Sequence, residues 1–217
     1  MRSVVAAIAA VLVLTGAASA QTAAPKSADK VYIEGNVQSA FGNVTSQAFG
    51  AEIGITVRPK TQVFFEVGIA RDTAPDTLGQ AAQIVAGYLT QVQRSAVAFS
   101  VKQPMGFGVA GVRYVIPYDE EFEPYLLGGF GLARLEHDVK FTVGGTDVTN
   151  NIGTYGVALG KDLAGSQMKP MASAGAGVVW HAGDSLFVDL QYRFGRIFTD
   201  VKGTNLSRAG IGVGVRF

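Results

Sequence analysis

The last nine residues, 209-AGIGVGVRF-217, alternate strictly between two kinds of side chain. The apolar set is Ala209, Ile211, Val213, Val215 and Phe217, and the residues between its members are three glycines and an arginine. A period of two is the pattern of a β-strand with one apolar face and one small or polar face. An exposed edge on such a strand would invite pairing with other chains. The ending therefore calls for neighbouring strands, which the rest of the chain should supply.

Seven further segments alternate in the same way. They lie at 30–42, 48–59, 61–72, 106–117, 123–141, 171–182 and 186–196. With the C-terminal stretch they make eight strands. An even number of antiparallel strands brings the last one back beside the first, so the sheet can close into an up-and-down barrel without an edge. Gly is frequent, at 28 of 217 residues, and Gly lets barrel strands coil and leaves room inside.

The fifth segment is less regular than the others. Phe130 and Leu132 suggest one phase of alternation, whereas Leu135 and Val139 suggest the opposite phase. A β-bulge inserts one extra residue and would reconcile the two phases. The sequence therefore predicts a bulge near Ala133.

The charged residues of the strands share a face with the glycines, opposite the apolar set. The predicted inward charges are Glu34, Glu52, Glu66, Asp189, Arg58, Arg113, Arg193, Arg208 and Arg216. A soluble barrel would turn this face to water, whereas a membrane barrel encloses it. Glycines on the charged face suit a tight interior, and aromatic residues near the strand ends of the apolar face suit lipid headgroups. We therefore expect a transmembrane barrel whose inward charges pair and fill the lumen, with a narrow pore for small solutes as the alternative.

The connections differ in length at the two ends of the predicted barrel. Three turns, around 58–61, 117–122 and 181–185, are short, whereas two connections at the other end span 71–100 and 143–170. Membrane barrels have short periplasmic turns and longer outer loops. The first long connection also contains Leu78, Ala82, Val85, Leu89 and Val92 at helical spacing. It predicts an amphipathic helix in the second outer loop, packed on strand extensions rather than on lipid.

That helix has a predicted start at Pro75 and Asp76, with Asp76 as N-cap. The N-terminus of the chain follows a different pattern. Arg2, an apolar run and the small residues Ala18 and Ala20 form the signature of a secretory signal peptide cut before Gln21. The predicted organisation is a signal peptide at 1–20, a short segment at 21–29 and a barrel at 30–217.

Composition argues against several functions. Removing Arg2 with the signal peptide lowers Lys plus Arg from 18 to 17, against 17 Asp plus Glu, so a nucleic-acid partner is not expected. The chain has no cysteine, and its two histidines, His137 and His181, lie far apart in sequence. Neither a metal site nor a cofactor is predicted. No serine lies two positions from His137, so we expect no catalytic residues and no enzyme activity.

Three stretches, 123-EPYLLGGFGLARLE-136, 186-LFVDLQYRFG-195 and 212-GVGVRF-217, carry a family resemblance. The chain resembles the small eight-stranded outer-membrane barrels, the OmpA-like and OmpX-like proteins that include the opacity proteins. Gly212, Val215 and Phe217 match the spacing of that family's C-terminal assembly signal, although Gly210 stands where a polar residue is expected.

The resemblance implies a surface-exposed protein of the cell outer membrane. Its implied partners are membrane lipid and lipopolysaccharide, the barrel-assembly machinery and periplasmic chaperones during biogenesis, and an extracellular ligand of the outer loops in an adhesion or recognition role. The remaining alternatives are the narrow pore, a lipid-A-modifying enzyme and a soluble secreted barrel that binds a small apolar ligand.

Overall fold

The computed structural model describes residues 31–118, 121–160, 163–199 and 203–217; the predicted signal peptide lies outside these residues. The strands are β1 (Val31–Phe41), β2 (Thr45–Arg58), β3 (Thr61–Ala70), β4 (Val97–Lys102), β5 (Met105–Val115), β6 (Phe122–Val143), β7 (Thr146–Asp147), β8 (Ala164–His181), β9 (Leu186–Ile197) and β10 (Thr204–Arg216). Helix α1 spans Asp76–Gln93, and a short 3-10 helix spans Thr149–Tyr155. None of the described helices is long and apolar enough to cross a membrane.

Eight of the ten strands form a closed antiparallel ring in the order β1, β2, β3, β5, β6, β8, β9, β10. The ring closes where β10 pairs with β1, and the amide and carbonyl groups of Phe217 and Val31 exchange hydrogen bonds of 3.0 and 3.1 Å. The predicted eight-stranded barrel is confirmed, and the closure removes the edge that the C-terminal strand would otherwise expose. The two additional strands, β4 and β7, both lie in the long connections and pair with β6.

The two faces of the ring differ as the alternation predicts. The outward face carries large apolar side chains, among them Phe65, Phe130, Leu190 and Ile211, all at least 50% exposed. The inward face carries buried polar and charged side chains. This arrangement is the reverse of a soluble barrel, which would hold its apolar face inside. Below, the end that carries the connections 59–60, 116–121 and 182–185 is called the short-turn end, and the opposite end the long-loop end.

The predicted bulge near Ala133 is wrong. Strand β6 pairs with β5 and with β8 in one unbroken register, and its burial alternates regularly from Tyr125 to Phe141. Leu135 and Val139 face inward although they are apolar, because β6 has 22 residues and extends beyond the charged part of the lumen. The irregularity lies instead in β2, where the register shifts between Thr56 and Arg58.

Inward glycines sit directly opposite large inward side chains on the neighbouring strand. The register pairs Tyr32 with Gly54, Phe107 with Gly68, Tyr125 with Gly177, and Phe187 with Gly214. A Cβ atom added to any of these four glycines would overlap the ring of its partner. The glycines therefore share the charged face because the narrow interior has room for only one large side chain in each pair.

The long connections fold into a compact unit at the long-loop end, which we call the cap. It consists of α1, β4, the 3-10 helix and the end of β6, around a core of Ala74, Leu78, Ala82, Ala86, Leu89, Val139, Phe141, Val148 and Ile152. The predicted helix, and its packing on strand extensions, are confirmed. Pro75 rather than Asp76 is the N-cap, and Ala86 joins the buried stripe, whereas Val92 is exposed.

The glycine pairing gives a test with a matched control. Gly54→Val should strongly reduce refolding into detergent micelles, because the new side chain would occupy the space of the Tyr32 ring. Gly35→Val changes a glycine of the adjacent strand that has open space around its Cβ position, and should refold normally. The fraction folded can be measured from the different migration of unboiled and boiled samples on a gel. Equal refolding of the two variants would contradict the packing described above.

Candidate functional site

The main polar constellation is a chain of alternating charges that crosses the lumen. Arg208 Nη1 lies 2.8 Å from Glu66 Oε1, and Arg193 Nη1 lies 2.9 Å from Glu66 Oε2. Arg193 then reaches Glu52 at 2.6 Å, and Glu52 in turn contacts Arg113 at 2.7 Å. Each guanidinium presents several N–H donors in a fixed plane, so it can hold two carboxylates at once.

This series of alternating charges ends at two further carboxylates. Arg113 lies 3.4 Å from Asp189 and 3.8 Å from Glu34. The Tyr125 hydroxyl donates a hydrogen bond of 2.8 Å to Asp189, and the Gln191 amide donates one of 2.7 Å to Glu34. Neutral donors therefore supplement the guanidiniums where carboxylates outnumber them.

Aromatic rings flank all three arginines, and the Arg193 guanidinium carbon lies 5.6 Å from the centroid of the Phe64 ring. The Arg113 guanidinium carbon lies 4.9 Å from the centroid of the Tyr32 ring and 4.0 Å from that of Tyr125. Arg208 lies 4.2 Å from the centroid of Phe107. A cation over an aromatic face is stabilised by the ring quadrupole, and more strongly so away from water. The rings beside Arg113 and Arg208 belong to the glycine-paired set, so packing and charge stabilisation depend on the same side chains.

The charge network ties the barrel together across its axis. Its seven charged members come from six of the eight ring strands: Glu34, Glu52, Glu66, Arg113, Asp189, Arg193 and Arg208. Each of these residues is at most 1% exposed. Removing one partner from such a buried set would leave an uncompensated charge, which is strongly destabilising.

An apolar layer closes the lumen at the long-loop end. Every ring strand contributes one buried member: Ala40, Ala48, Ala70, Met105, Leu135, Met171, Ile197 and Leu206. These side chains are at most 3% exposed. A hydrated ion moving along the axis would have to pass both this layer and the paired charges.

Two predicted members of the network lie elsewhere. Arg58 is exposed at the end of β2, because the register shift after Thr56 takes it out of the inward phase. Arg216 faces inward but lies at the short-turn end, where its Nη2 contacts Glu123 Oε2 at 2.7 Å. His181 Nε2 lies 3.2 Å from the other oxygen of Glu123. Arg216 therefore belongs to a separate pair at the barrel rim.

Sequence reasoning missed Glu123 and the two inward tyrosines. Glu123 begins the fifth alternating segment, directly after a turn that is rich in acidic residues. In the sequence it is therefore indistinguishable from the acidic residues of that turn. Tyr32 and Tyr125 lie two residues from the inward residues Glu34 and Leu127, so the alternation of side chains along each strand would have placed both tyrosines in the lumen. This alternation does not predict which carboxylate each tyrosine hydroxyl contacts.

Among the described residues, neither histidine contacts a serine or threonine hydroxyl. His137 Nδ1 has no hydrogen-bond partner among the described residues, and His181 pairs with Glu123 at the opposite end of the barrel. Nucleophilic catalysis requires a nucleophile within hydrogen-bond reach of its base. The described part of the chain also contains no group of His, Asp and Glu residues that could hold a metal ion.

The proposed assembly signal divides between the two faces of β10. Gly212 faces inward and makes room for the Glu34 carboxyl group, whereas Phe217 is 61% exposed at the end of the strand. Val215 is partly buried on the outward phase. The role of these three residues in assembly stays a prediction.

A closed ring with an apolar outer wall and a paired, charged interior defines a transmembrane β-barrel. A model of the outer membrane protein beta-barrel domain family matches residues 9–217, and the chain belongs to this family. A comparison with curated proteins found no match.

Solved structures show the same fold. Neisserial surface protein A is 15% identical, with a TM-score of 0.56 over 86% of this chain and 97% of its own. The N-terminal barrel domain of Pseudomonas aeruginosa OprF is 17% identical, with a TM-score of 0.50 over 87% and 98%. The outer membrane enzyme PagL is 10% identical, with a TM-score of 0.41 over 86% and 99%, which carries no argument for an activity. The first two likenesses place the fold among outer-membrane barrels.

The network predicts a large difference between two arginine substitutions. Arg208→Met leaves Glu66 with one guanidinium in place of two, and should lower the free energy of unfolding by about 3–5 kcal/mol. Arg58→Met makes the same chemical change at an exposed position and should leave stability almost unchanged. Urea titrations of both variants in the same micelles measure this difference. Equal stability of the two variants would show that the lumen charges do not act as a network.

Proposed function

We propose that this protein is a closed, non-enzymatic outer-membrane barrel that displays a folded cap outside the cell, and that the cap is a recognition surface. The observation that carries this proposal is the second hydrophobic core, which is separate from that of the barrel and is built from the long connections together with the end of β6. Connections that serve only to join strands need no core of their own. Loops held on a rigid scaffold commonly carry recognition.

The lengths of the connections support one orientation of the barrel in the membrane. The short-turn end would face the periplasm, and the long-loop end the outside, as in other outer-membrane barrels. Newly made chains would then reach the barrel-assembly machinery by way of periplasmic chaperones, with Phe217 at the end of the recognised strand. Membrane lipid and lipopolysaccharide would surround the apolar wall.

The lumen supports a structural role rather than a pore. The seven network charges are paired or hydrogen-bonded, and the apolar layer lies above them in the same lumen. An eight-stranded barrel leaves an interior that side chains can fill. The protein should therefore give no conductance steps in a planar lipid bilayer.

The outer surface of the cap has an unusual composition. Helix α1 carries no charged residue after Asp76, and Ile84 and Tyr88 are exposed on its outer side, Ile84 by 75%. Exposed apolar residues rimmed by polar ones are typical of interaction surfaces. We propose this side of α1 as the part of the cap that contacts a ligand.

Cysteine labelling tests the orientation without background, because the chain contains no cysteine. On intact cells, a membrane-impermeant maleimide should label Ile84→Cys, and should label Asp184→Cys only after permeabilisation. Both positions are exposed in the folded protein. The reverse labelling pattern would contradict the orientation, and conductance steps from the wild-type protein would favour the pore.

A second experiment in the same cells tests the recognition role. Leu89→Asp places a charge in the cap core, whereas Gln83→Asp places one at an exposed position of the same helix. Cells that display each variant can be compared for adhesion to surfaces coated with laminin or collagen. Recognition by the cap predicts that Leu89→Asp abolishes adhesion and Gln83→Asp retains it. Adhesion unaffected by Leu89→Asp would assign it to another part of the protein.

A further inference from the structure

A cleft of about 580 Å³ lies on the outer wall of the barrel at the long-loop end. It is bounded by the ends of β1, β9 and β10 on one side and by the start of α1 on the other. Its lining includes Phe41, Asn43, Asp76, Phe194, Arg196 and Asn205. The volume is within the range of sites that hold a small molecule or a lipid headgroup.

One half of the cleft is apolar and continues the outer wall. Phe41 on β1 pairs in register with Ser207 on β10, and Ser207 pairs with Phe194 on β9. The two phenylalanines therefore lie at the same level of the sheet, one on each side of Ser207. Both rings are partly exposed on the outward face. In a membrane barrel this wall contacts lipid, and aromatic residues at its ends lie at the level of the headgroups.

The other half of the cleft is polar. Arg196 Nη1 donates a hydrogen bond of 2.6 Å to Asn205 Oδ1, which lies opposite it on β10. Gly203 leaves the space that the guanidinium occupies, since a Cβ there would lie 2.7 Å from Arg196 Nε. Asn43 and Asp76 add an amide and a carboxylate to the lining.

We propose that this cleft binds the phosphorylated sugar headgroup of an outer-leaflet glycolipid. Arg196 binds the phosphate, since a guanidinium matches phosphate geometry and forms strong charge-assisted hydrogen bonds with it. Asn43, Asn205 and Asp76 bind sugar hydroxyls, and the acyl chains lie along Phe41 and Phe194. This assignment goes beyond the proposed recognition role and rests on the long-loop end facing the outer leaflet.

The combination of the two halves selects a lipid over a soluble phosphate. A free sugar phosphate could use the polar half, but it would leave the phenylalanine wall without a partner. A wholly apolar ligand would make no polar contact with Arg196 or Asp76. Only a molecule with a phosphorylated polar head and attached acyl chains contacts both halves at the position where the wall meets the headgroup layer.

The test uses purified protein in detergent micelles, so it does not depend on orientation in the cell. Native mass spectrometry can measure binding of bisphosphorylated lipid A and of chemically dephosphorylated lipid A. Arg196→Gln should weaken binding of the phosphorylated form about tenfold, which corresponds to the loss of one charge-assisted hydrogen bond. Dephosphorylated lipid A should bind the wild-type protein as weakly as lipid A binds the variant.

Arg134→Gln is the matched control, because Arg134 is an exposed, outward-phase cation of β6 outside the cleft, and pairs with Glu136. It should bind lipid A like the wild-type protein. Equal weakening by the two substitutions, or equal wild-type affinity for the two lipid A forms, would overturn the proposal. Displacement of lipid A by an equal concentration of glucosamine 1-phosphate would instead assign the cleft to a soluble sugar phosphate.

Discussion

The structure depends on the pairing of seven charges inside a lumen that is closed off from water. Strands that cross a membrane must satisfy every backbone group within the sheet, and this requires a closed ring. Closing eight strands leaves so little interior space that an inward charge can only contact another inward side chain. Glu66 between Arg193 and Arg208 shows the result, with one carboxylate joining strands from opposite sides of the barrel.

The glycines follow from the same lack of space. Tyr32 and Tyr125 flank Arg113 and donate to the carboxylates it contacts, but each ring fits only because a glycine faces it on the next strand. Replacing either glycine would displace a ring that also stabilises a buried charge. Packing and electrostatics are therefore coupled in this interior, and the alternation of glycine with large residues is a requirement of the network.

Alternation with a period of two was sufficient to predict the ring, its closure and the side on which the charges lie. It placed Glu34, Glu52 and Asp189 on the inward face, because successive side chains of a strand point to opposite faces. It failed at Arg58, where a register shift that leaves no mark in the residue pattern turns the side chain away. It also failed at Ala133, because the apolar residues Leu135 and Val139 share the inward phase of the charges: Leu135 belongs to the apolar layer of the lumen and Val139 to the core of the cap.

The partners within the network could not be predicted from sequence. Glu66 and Arg208 are 142 positions apart, and their contact depends on strand stagger and on which side chains cross the axis. The cap is a similar case: the helical spacing of Leu78, Ala82 and Leu89 predicted the helix, but its packing on Phe141 and Ile152 requires two long connections to meet. Local pattern specifies elements, whereas contacts between distant elements require the closed fold.

The central claim is that the apolar face of the barrel contacts lipid while the charged face is enclosed. Nitroxide labels placed one at a time at positions 186–192 of β9, in protein reconstituted into lipid vesicles, test it directly, since the chain has no native cysteine. The account predicts collision with dissolved oxygen that alternates along the strand, high at 186, 188, 190 and 192 and low at 187, 189 and 191. Low oxygen collision at the even positions, with water-soluble reagents reaching the odd ones, would contradict it.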